Sequence, residues 1–280
     1  MSIVAAAIQL QPGQSLSENL QIAKSQMLSA TKLGANLLVL PELFSAPFVS
    51  GEVDFNYFRW AEKLNGPTNS LIANFSRDTS TTIISSFFEA TDVEGIFHNT
   101  AVTFHHGAVV SIYRKSHLPF SNSFPEKFYF RPGDAPPSAC WCGPAKVGTI
   151  ICYERHFPEL GRLVALSGAH ILAVPVACSS GPSRQVFQLE LQGQAAFNEL
   201  FVVCANRVGQ IEGDMKNYFG LSAIYAPDGT ILVQASDSQT EVVLAEINLD
   251  EVTNRRAQLP LYRDRRVDMY QGLIRSHGRD

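Results

Sequence analysis

Cysteine is scarce and odd in number: Cys140, Cys142, Cys152, Cys178 and Cys204 are five thiols in 280 residues. That excludes a disulfide framework of the kind that staples small secreted domains, and it fits a reducing compartment in which one thiol is left to react. Long apolar runs are missing as well, since no stretch approaches the roughly 18 uninterrupted apolar residues of a spanning helix. The opening residues lack the charged start and cleavage site of a signal peptide, so a cytoplasmic protein with no membrane partner is expected. Charge of one sign is not in excess either. With 22 basic and 26 acidic residues the net charge is −4, which gives no electrostatic footprint for a nucleic-acid duplex. Neither Gly-x-Gly-x-x-Gly after the first strand nor a phosphate loop ending in Gly-Lys-Ser or Gly-Lys-Thr occurs, so nucleotide chemistry loses its main signals. There is no Ser-, Gly- or Pro-rich linker, no repeat and no low-complexity run.

What is present is an ordinary globular balance, 45% hydrophobic and 17% charged, with ample material for a core. Residues 3–8 predict a buried strand, 16–33 a helix starting near Ser15 and ending before Gly34, and 36–40 a second buried strand. A helix over 68–78, a strand over 82–88 and a hairpin of 98–104 with 109–113 follow. Residues 115–139 hold five of the fifteen prolines and predict irregular backbone. Strands at 146–151, 170–174 and 201–206 then alternate with helices at 158–166 and 183–200, and 221–225, 230–234 and 242–247 predict a meander around the turn at Pro227-Asp228-Gly229. Continuous apolar strands with crossover helices on both sides of the central loop imply an α/β fold in one domain spanning 1–280. Two sheets pack face to face with helices outside, a four-layer α-β-β-α sandwich. Residues 254–280 form a charged peripheral arm, expected at a subunit contact.

Cys152 ends one of the buried strands, with a helix beginning about six residues on. At that end of an α/β strand a side chain faces the crevice where ligands bind, and free backbone amides nearby can stabilise an oxyanion. Glu42, in Leu37-Leu-Val-Leu-Pro-Glu42, and Lys115, in Val109-Val-Ser-Ile-Tyr-Arg-Lys115, also end apolar strands. A carboxylate, an ammonium and a thiol at one sheet edge supply a base, an oxyanion stabiliser and a nucleophile, the set that amide cleavage needs. Each has a plainer alternative: Cys152 as a core thiol, Glu42 and Lys115 as solvated loop charges. His105-His106 falls at a predicted turn and Cys140-x-Cys142 has no second pair at zinc spacing, so no metal is assigned. The basic residues of the tail interleave with acidic ones, which argues against a nucleic-acid patch.

Pro41-Glu42-Leu-Phe, Arg114-Lys115-Ser-His117-Leu-Pro and Ile151-Cys152-Tyr-Glu-Arg-His-Phe-Pro-Glu159 resemble, in order and spacing, the three signature blocks of the nitrilase or carbon-nitrogen hydrolase superfamily. The likeness extends through Phe219-Gly-Leu-Ser222 and Pro227-Asp-Gly229 to the tail. It implies the α-β-β-α sandwich, a cofactor-free Glu42-Lys115-Cys152 triad, and assembly of at least a homodimer. Glu126, in Phe124-Pro-Glu-Lys-Phe, looks like the second glutamate of the family, beside the catalytic lysine. Attack by Cys152 with Glu42 as base, and an oxyanion held by Lys115 and the Tyr153 amide, would release ammonia from a small amide or ureide.

Arg155 and His156, in Cys152-Tyr-Glu-Arg-His156, together with His117, are similar to residues of β-ureidopropionases. Arg155 could clamp a substrate carboxylate, or could pair internally with Glu154 or Glu159. The leading substrate is therefore an N-carbamoyl amino acid such as N-carbamoyl-β-alanine. The stretch Lys127-Phe-Tyr-Phe-Arg-Pro-Gly133 is closer to carbamoylputrescine amidases, which keeps that ureide and simple amides as the alternative. Nitrile hydrolysis fits less well, because arylnitrilases usually carry Cys-Trp-Glu here. A non-catalytic binding module is the rival from another class.

Overall fold

The structure, a computed structural model, describes residues 1–47, 53–121, 124–210 and 217–274. In chain order its first half contains β1 (Ser2–Gln9), α1 (Leu16–Lys32), β2 (Leu37–Val39), α2 (Pro67–Thr79), β3 (Thr82–Ala90), β4 (Phe97–His105), β5 (Ala108–Arg114) and the short α3 (Glu126–Tyr129). The second half contains β6 (Ala139–Cys142), β7 (Ala145–Thr149), α4 (Pro158–Leu166), β8 (Ile171–Pro175), α5 (Pro182–Asn198), β9 (Phe201–Ala205), β10 (Val208–Gln210), β11 (Asn217–Phe219), β12 (Ala223–Tyr225), β13 (Ile231–Gln234), β14 (Glu241–Asn248) and α6 (Asp250–Gln258).

Two six-stranded sheets result, with orders β14-β1-β2-β3-β4-β5 and β13-β12-β9-β8-β7-β6. Each is parallel at its centre, β1-β2-β3 in one and β7-β8-β9 in the other, and antiparallel at its flanks. The apolar runs are continuous because both faces of each central strand are covered. Leu37 and Val39 point between the sheets, where Ile171, Ala173, Phe201 and Val203 meet them. Leu38 and Leu40 point outward onto Ala23, Met27 and Ala30 of α1 and Ile72 and Phe75 of α2. In the second sheet, Leu172 and Val174 face Val164 of α4 and Phe187 and Leu191 of α5. This alternation gives the four layers α-β-β-α that the apolar pattern implied.

Local signals set the boundaries. The Ser15 hydroxyl accepts the Glu18 N–H at 3.2 Å while the Glu18 carboxylate accepts the Gln14 N–H at 2.9 Å, which closes the first turn of α1. The β4–β5 hairpin turns on His106 and Gly107 alone, both at positive φ (50° and 83°), as a two-residue hairpin loop requires.

Two expectations need correction. The strand near 242–247 does not complete a meander with its neighbours. As β14 it crosses to the first sheet and pairs antiparallel with β1 from Ser2↔Asn248 to Gln9↔Glu241. The turn at Pro227-Asp228-Gly229 therefore joins only β12 and β13. Helix α6 continues from β14 and buries Val252 in the inter-sheet core, just before the tail, and residues 254–274 contain no buried side chain. The proline-rich segment contains α3 and runs straight into β6. Residues 275–280 of the tail lie outside the described residues.

Candidate active site

Glu42 follows β2 in a turn held from the opposite sheet. Its N–H donates to the Val176 carbonyl at 3.2 Å. The guanidinium of Arg207, fully buried after β9, donates to the carbonyls of Glu42 (3.0 Å), Leu43 and Ala46 (2.8 Å). Lys115 leaves β5 with its N–H on the Asn99 carbonyl (2.9 Å) and its own carbonyl taken by Gly133 (2.9 Å). Glu126 opens α3. The three side chains meet where water is excluded, at 0%, 0% and 1% exposure. Lys115 Nζ lies 2.7 Å from Glu42 Oε1 and 2.8 and 2.9 Å from the two oxygens of Glu126. Asn99 Nδ2 adds a hydrogen bond to Glu42 Oε1 at 2.7 Å, and Ser86 orients the amide by donating to Asn99 Oδ1 at 3.1 Å. Glu42 Oε2 is buried with no hydrogen-bond partner among the described residues.

Burial opposes the charge on Lys115, but Glu126 and Glu42 outweigh it and hold the ammonium above its usual value. Burial, reinforced by Glu42, pushes the Glu126 carboxyl up to about 7 against the pull of Lys115. The cluster thus sets a firmly held cation beside a carboxyl, Glu126, that titrates near neutrality.

Cys152 stands just past β7, at the start of a short 3-10 helix over Cys152–His156, with φ of 47°. A non-glycine residue in the left-handed region costs about 1–3 kcal/mol and persists where its surroundings over-determine it. Glu154 is the main constraint. Its Oε2 accepts the Ile151 N–H at 2.8 Å, and its Oε1 accepts Tyr113 Oη (2.6 Å), Ser116 N (2.8 Å), Ser116 Oγ (2.7 Å) and His117 N (3.2 Å). One buried carboxylate therefore ties the nucleophile turn to the loop after Lys115. Behind the turn, Arg155 Nη1 donates to the Cys152 carbonyl at 3.0 Å, and Gln194 of α5 donates to the Arg155 carbonyl at 3.2 Å. Burial first, and Glu42 second, raise the Cys152 thiol well above its ordinary value, although Lys115 and Arg155 oppose them. The balance favours the neutral thiol, a sign that sequence alone left open.

A cavity of about 190 Å³ opens over the thiol. Glu126, Cys152, Tyr153, Arg155, His156 and Cys178 are in its wall, with Phe120 and Phe124 supplying apolar surface. Glu42 and Lys115 are joined to this wall through Glu126. His117 is not brought into it; its ring stacks on Phe157 at 4.2 Å and its Nδ1 meets Ser116 Oγ at 2.8 Å. Among the described residues the carboxylate paired with Arg155 is neither Glu159 nor Glu154 but Glu190 of α5, an ion pair with Nε 3.0 Å from Oε2 in which neither atom makes a hydrogen bond. A larger groove of about 830 Å³ beside α2, lined by Lys63, Asn69, Glu89 and Arg114, does not include the thiol.

Sequence reasoning missed Asn99 and Glu190, and it missed what Glu154 and Arg207 hold together. Asn99 left a trace, as part of the polar run His98-Asn99-Thr100 inside a buried strand. Glu190 left none, because a glutamate on an amphipathic helix is unremarkable until its neighbours are known. Among the described residues no group of three or more His, Cys, Asp or Glu side chains is placed to hold a metal ion, and no helix is long and apolar enough to cross a membrane.

Residues 4–257 match the carbon-nitrogen hydrolase family. An N-carbamoylputrescine amidase of Solanum tuberosum is 32% identical over 99% of this chain and 96% of its own length. A citrullinase of Francisella tularensis is 31% identical over 99% of both chains. The solved carbon-nitrogen hydrolase of Helicobacter pylori superposes with a TM-score of 0.92 at 29% identity, covering 99% of each chain. A thiol on a strained turn, a lysine clasped by two glutamates and a four-layer sandwich thus coincide with a match along almost the whole sequence, and the chain belongs to the carbon-nitrogen hydrolase family.

Proposed function

We propose that the protein is a cysteine amidohydrolase that removes the terminal carbamoyl group of a small linear N-carbamoyl compound. The observation that carries this reading is the sharing of Lys115 between Glu42 and Glu126, with the second oxygen of Glu42 left unpartnered in a buried site that raises the Cys152 thiol. The cavity, at about 190 Å³, is below the usual range of drug-sized pockets and suits a short substrate.

In the first step the thiol attacks the ureide carbon as its proton passes to Glu42, so that charge never has to rest on a desolvated sulfur. Lys115 and the Tyr153 N–H, at the first turn of a helical segment whose amides lack intrahelical partners, hold the oxyanion. Glu42 returns the proton to the departing nitrogen, the C–N bond breaks, and ammonia leaves while the carbonyl carbon, still bonded to its other nitrogen, stays on Cys152 as a thiocarbamate, the thioester of a carbamic acid. Water, deprotonated by Glu42, adds to that thioester and expels the thiol. The resulting carbamic acid loses carbon dioxide to give the free amine.

Two far ends of the substrate find support. Arg155 in the cavity wall favours a carboxylate, as in N-carbamoyl-β-alanine. Likeness to a protein named N-carbamoylputrescine amidase favours an amine. Exposed Leu163 and Leu166 of α4 and Leu189 and Phe197 of α5 support a homodimer through this outer layer, and the need for a reduced nucleophile supports a cytoplasmic setting.

The test is release of ammonia and carbon dioxide from N-carbamoyl-β-alanine, carbamoylputrescine, citrulline and glutamine, with Cys152→Ala beside the wild type. Equimolar ammonia and carbon dioxide from a ureide, absent in the variant, is the expected result. Ammonia without carbon dioxide, from glutamine alone, would move the enzyme to plain amides.

A further inference from the structure

Glu190 takes no part in the steps above, yet it joins both basic side chains of the cavity wall. Its Oε2 lies 3.0 Å from Arg155 Nε and its Oε1 2.5 Å from His156 Nδ1. Arg155 is 2% exposed, so its charge acts on the cavity with little solvent screening. The rest of the guanidinium is also engaged: Nη1 with the Cys152 carbonyl at 3.0 Å, and Nη2 with Cys178 Sγ at 3.6 Å. An arginine that clamps a carboxylate presents a two-pronged face open to the ligand. Here the edge toward Glu190 already faces an anion, and the guanidinium lies over the ring of Phe187, its carbon 5.2 Å from the ring centroid. The other cation of the site, Lys115, is likewise enclosed by Glu42 and Glu126.

We propose that Glu190 determines specificity for the far end of the substrate: by offsetting the charge of Arg155 and engaging His156 it makes the enzyme favour ureides ending in an uncharged or cationic group over those ending in a carboxylate. The proposal rests on the amidohydrolase reading and narrows its substrate class. Glu190 acts through its two neighbours, so it is a positioning residue, and its removal changes the charge of the wall without touching the reacting atoms.

The experiment measures kcat and KM for carbamoylputrescine and N-carbamoyl-β-alanine with the wild type, Glu190→Gln and Glu190→Asp. Wild type is expected to prefer carbamoylputrescine. Glu190→Gln is expected to move the ratio of kcat/KM values toward N-carbamoyl-β-alanine by about tenfold, the scale of one charge-assisted hydrogen bond, through KM rather than kcat. Glu190→Asp, which restores the charge, should recover the wild-type order. An unshifted ratio in Glu190→Gln, or a wild type that prefers the carboxylate, overturns the proposal. Should Glu190→Gln fail to fold, competitive inhibition of the wild type decides: butylamine binding more tightly than butyrate supports it, and the reverse order overturns it. A wild type that cleaves neither ureides nor amides would instead sink the amidohydrolase reading itself.

Discussion

Asn99 and Lys115 converge on a single atom, each reaching Glu42 Oε1 at 2.7 Å. Two donors on one oxygen fix the carboxylate plane and leave Oε2 as the only place on Glu42 for a proton. Replacing Asn99 by Leu should release that orientation while keeping the volume apolar. A buried carboxylate that loses a donor costs roughly 1–3 kcal/mol, so kcat is expected to fall about tenfold to a hundredfold. Steady-state kinetics check this, with circular dichroism melting to show that the fold is retained.

Glu42 raises the Cys152 thiol, and in the proposed reaction it also receives the proton of that thiol. Glu42→Gln should therefore speed alkylation and slow catalysis. The iodoacetamide reaction rate at mildly alkaline pH is expected to rise, because a negative neighbour that disfavours the thiolate is gone. Turnover is expected to fall by about a hundredfold or more with loss of the general base. Labelling followed by mass spectrometry, run beside ammonia release, separates the two.

Glu126 is held up at about 7, chiefly by burial. A carboxyl raised in the folded state binds its proton more tightly there than in the unfolded chain. The stability it contributes is full below its ordinary value of 4.5 and is lost as pH rises through about 7. Glu126→Gln cannot titrate. Its melting temperature should thus gain on that of the wild type as pH is raised from about 4.5 to about 8. A constant difference across that range would contradict the assignment.

Arg207 spans the carbonyls of Glu42, Leu43 and Ala46 from the opposite sheet. Arg207→Met leaves these buried acceptors without their donor, and a loss of about 5 °C or more in melting temperature is expected. Arg207→Lys should recover only part of it, because one ammonium cannot reproduce the planar fork. Differential scanning calorimetry tests both.

Much of the fold was legible because burial on both faces writes continuous apolar runs into β1, β2, β8 and β9, and because caps such as Ser15 mark helix starts. The partner of β14 was not legible: its alternation shows which residues are buried but not against which sheet. At the site, Glu42, Lys115 and Cys152 announced themselves as reactive groups at strand ends. Their geometry did not, since it depends on residues distant in sequence such as Asn99, Glu154 and Arg207. The left-handed turn at Cys152 has no signature either, as a cysteine is not a residue chosen for positive φ.

The pairing of β14 with β1 also governs the order in which the molecule can be completed. β1 is made first, yet one of its edges has no neighbour until residues near 248 emerge, because its antiparallel partner spans Glu241–Asn248. A nascent chain must therefore carry an open apolar edge until β14 has been made, the condition under which strands pair with the wrong chain. Closure of that seam is a late and long-range event, which predicts slow folding. A chain cut short before Glu241 would keep Glu42, Lys115, Glu126 and Cys152 and yet be prone to aggregate.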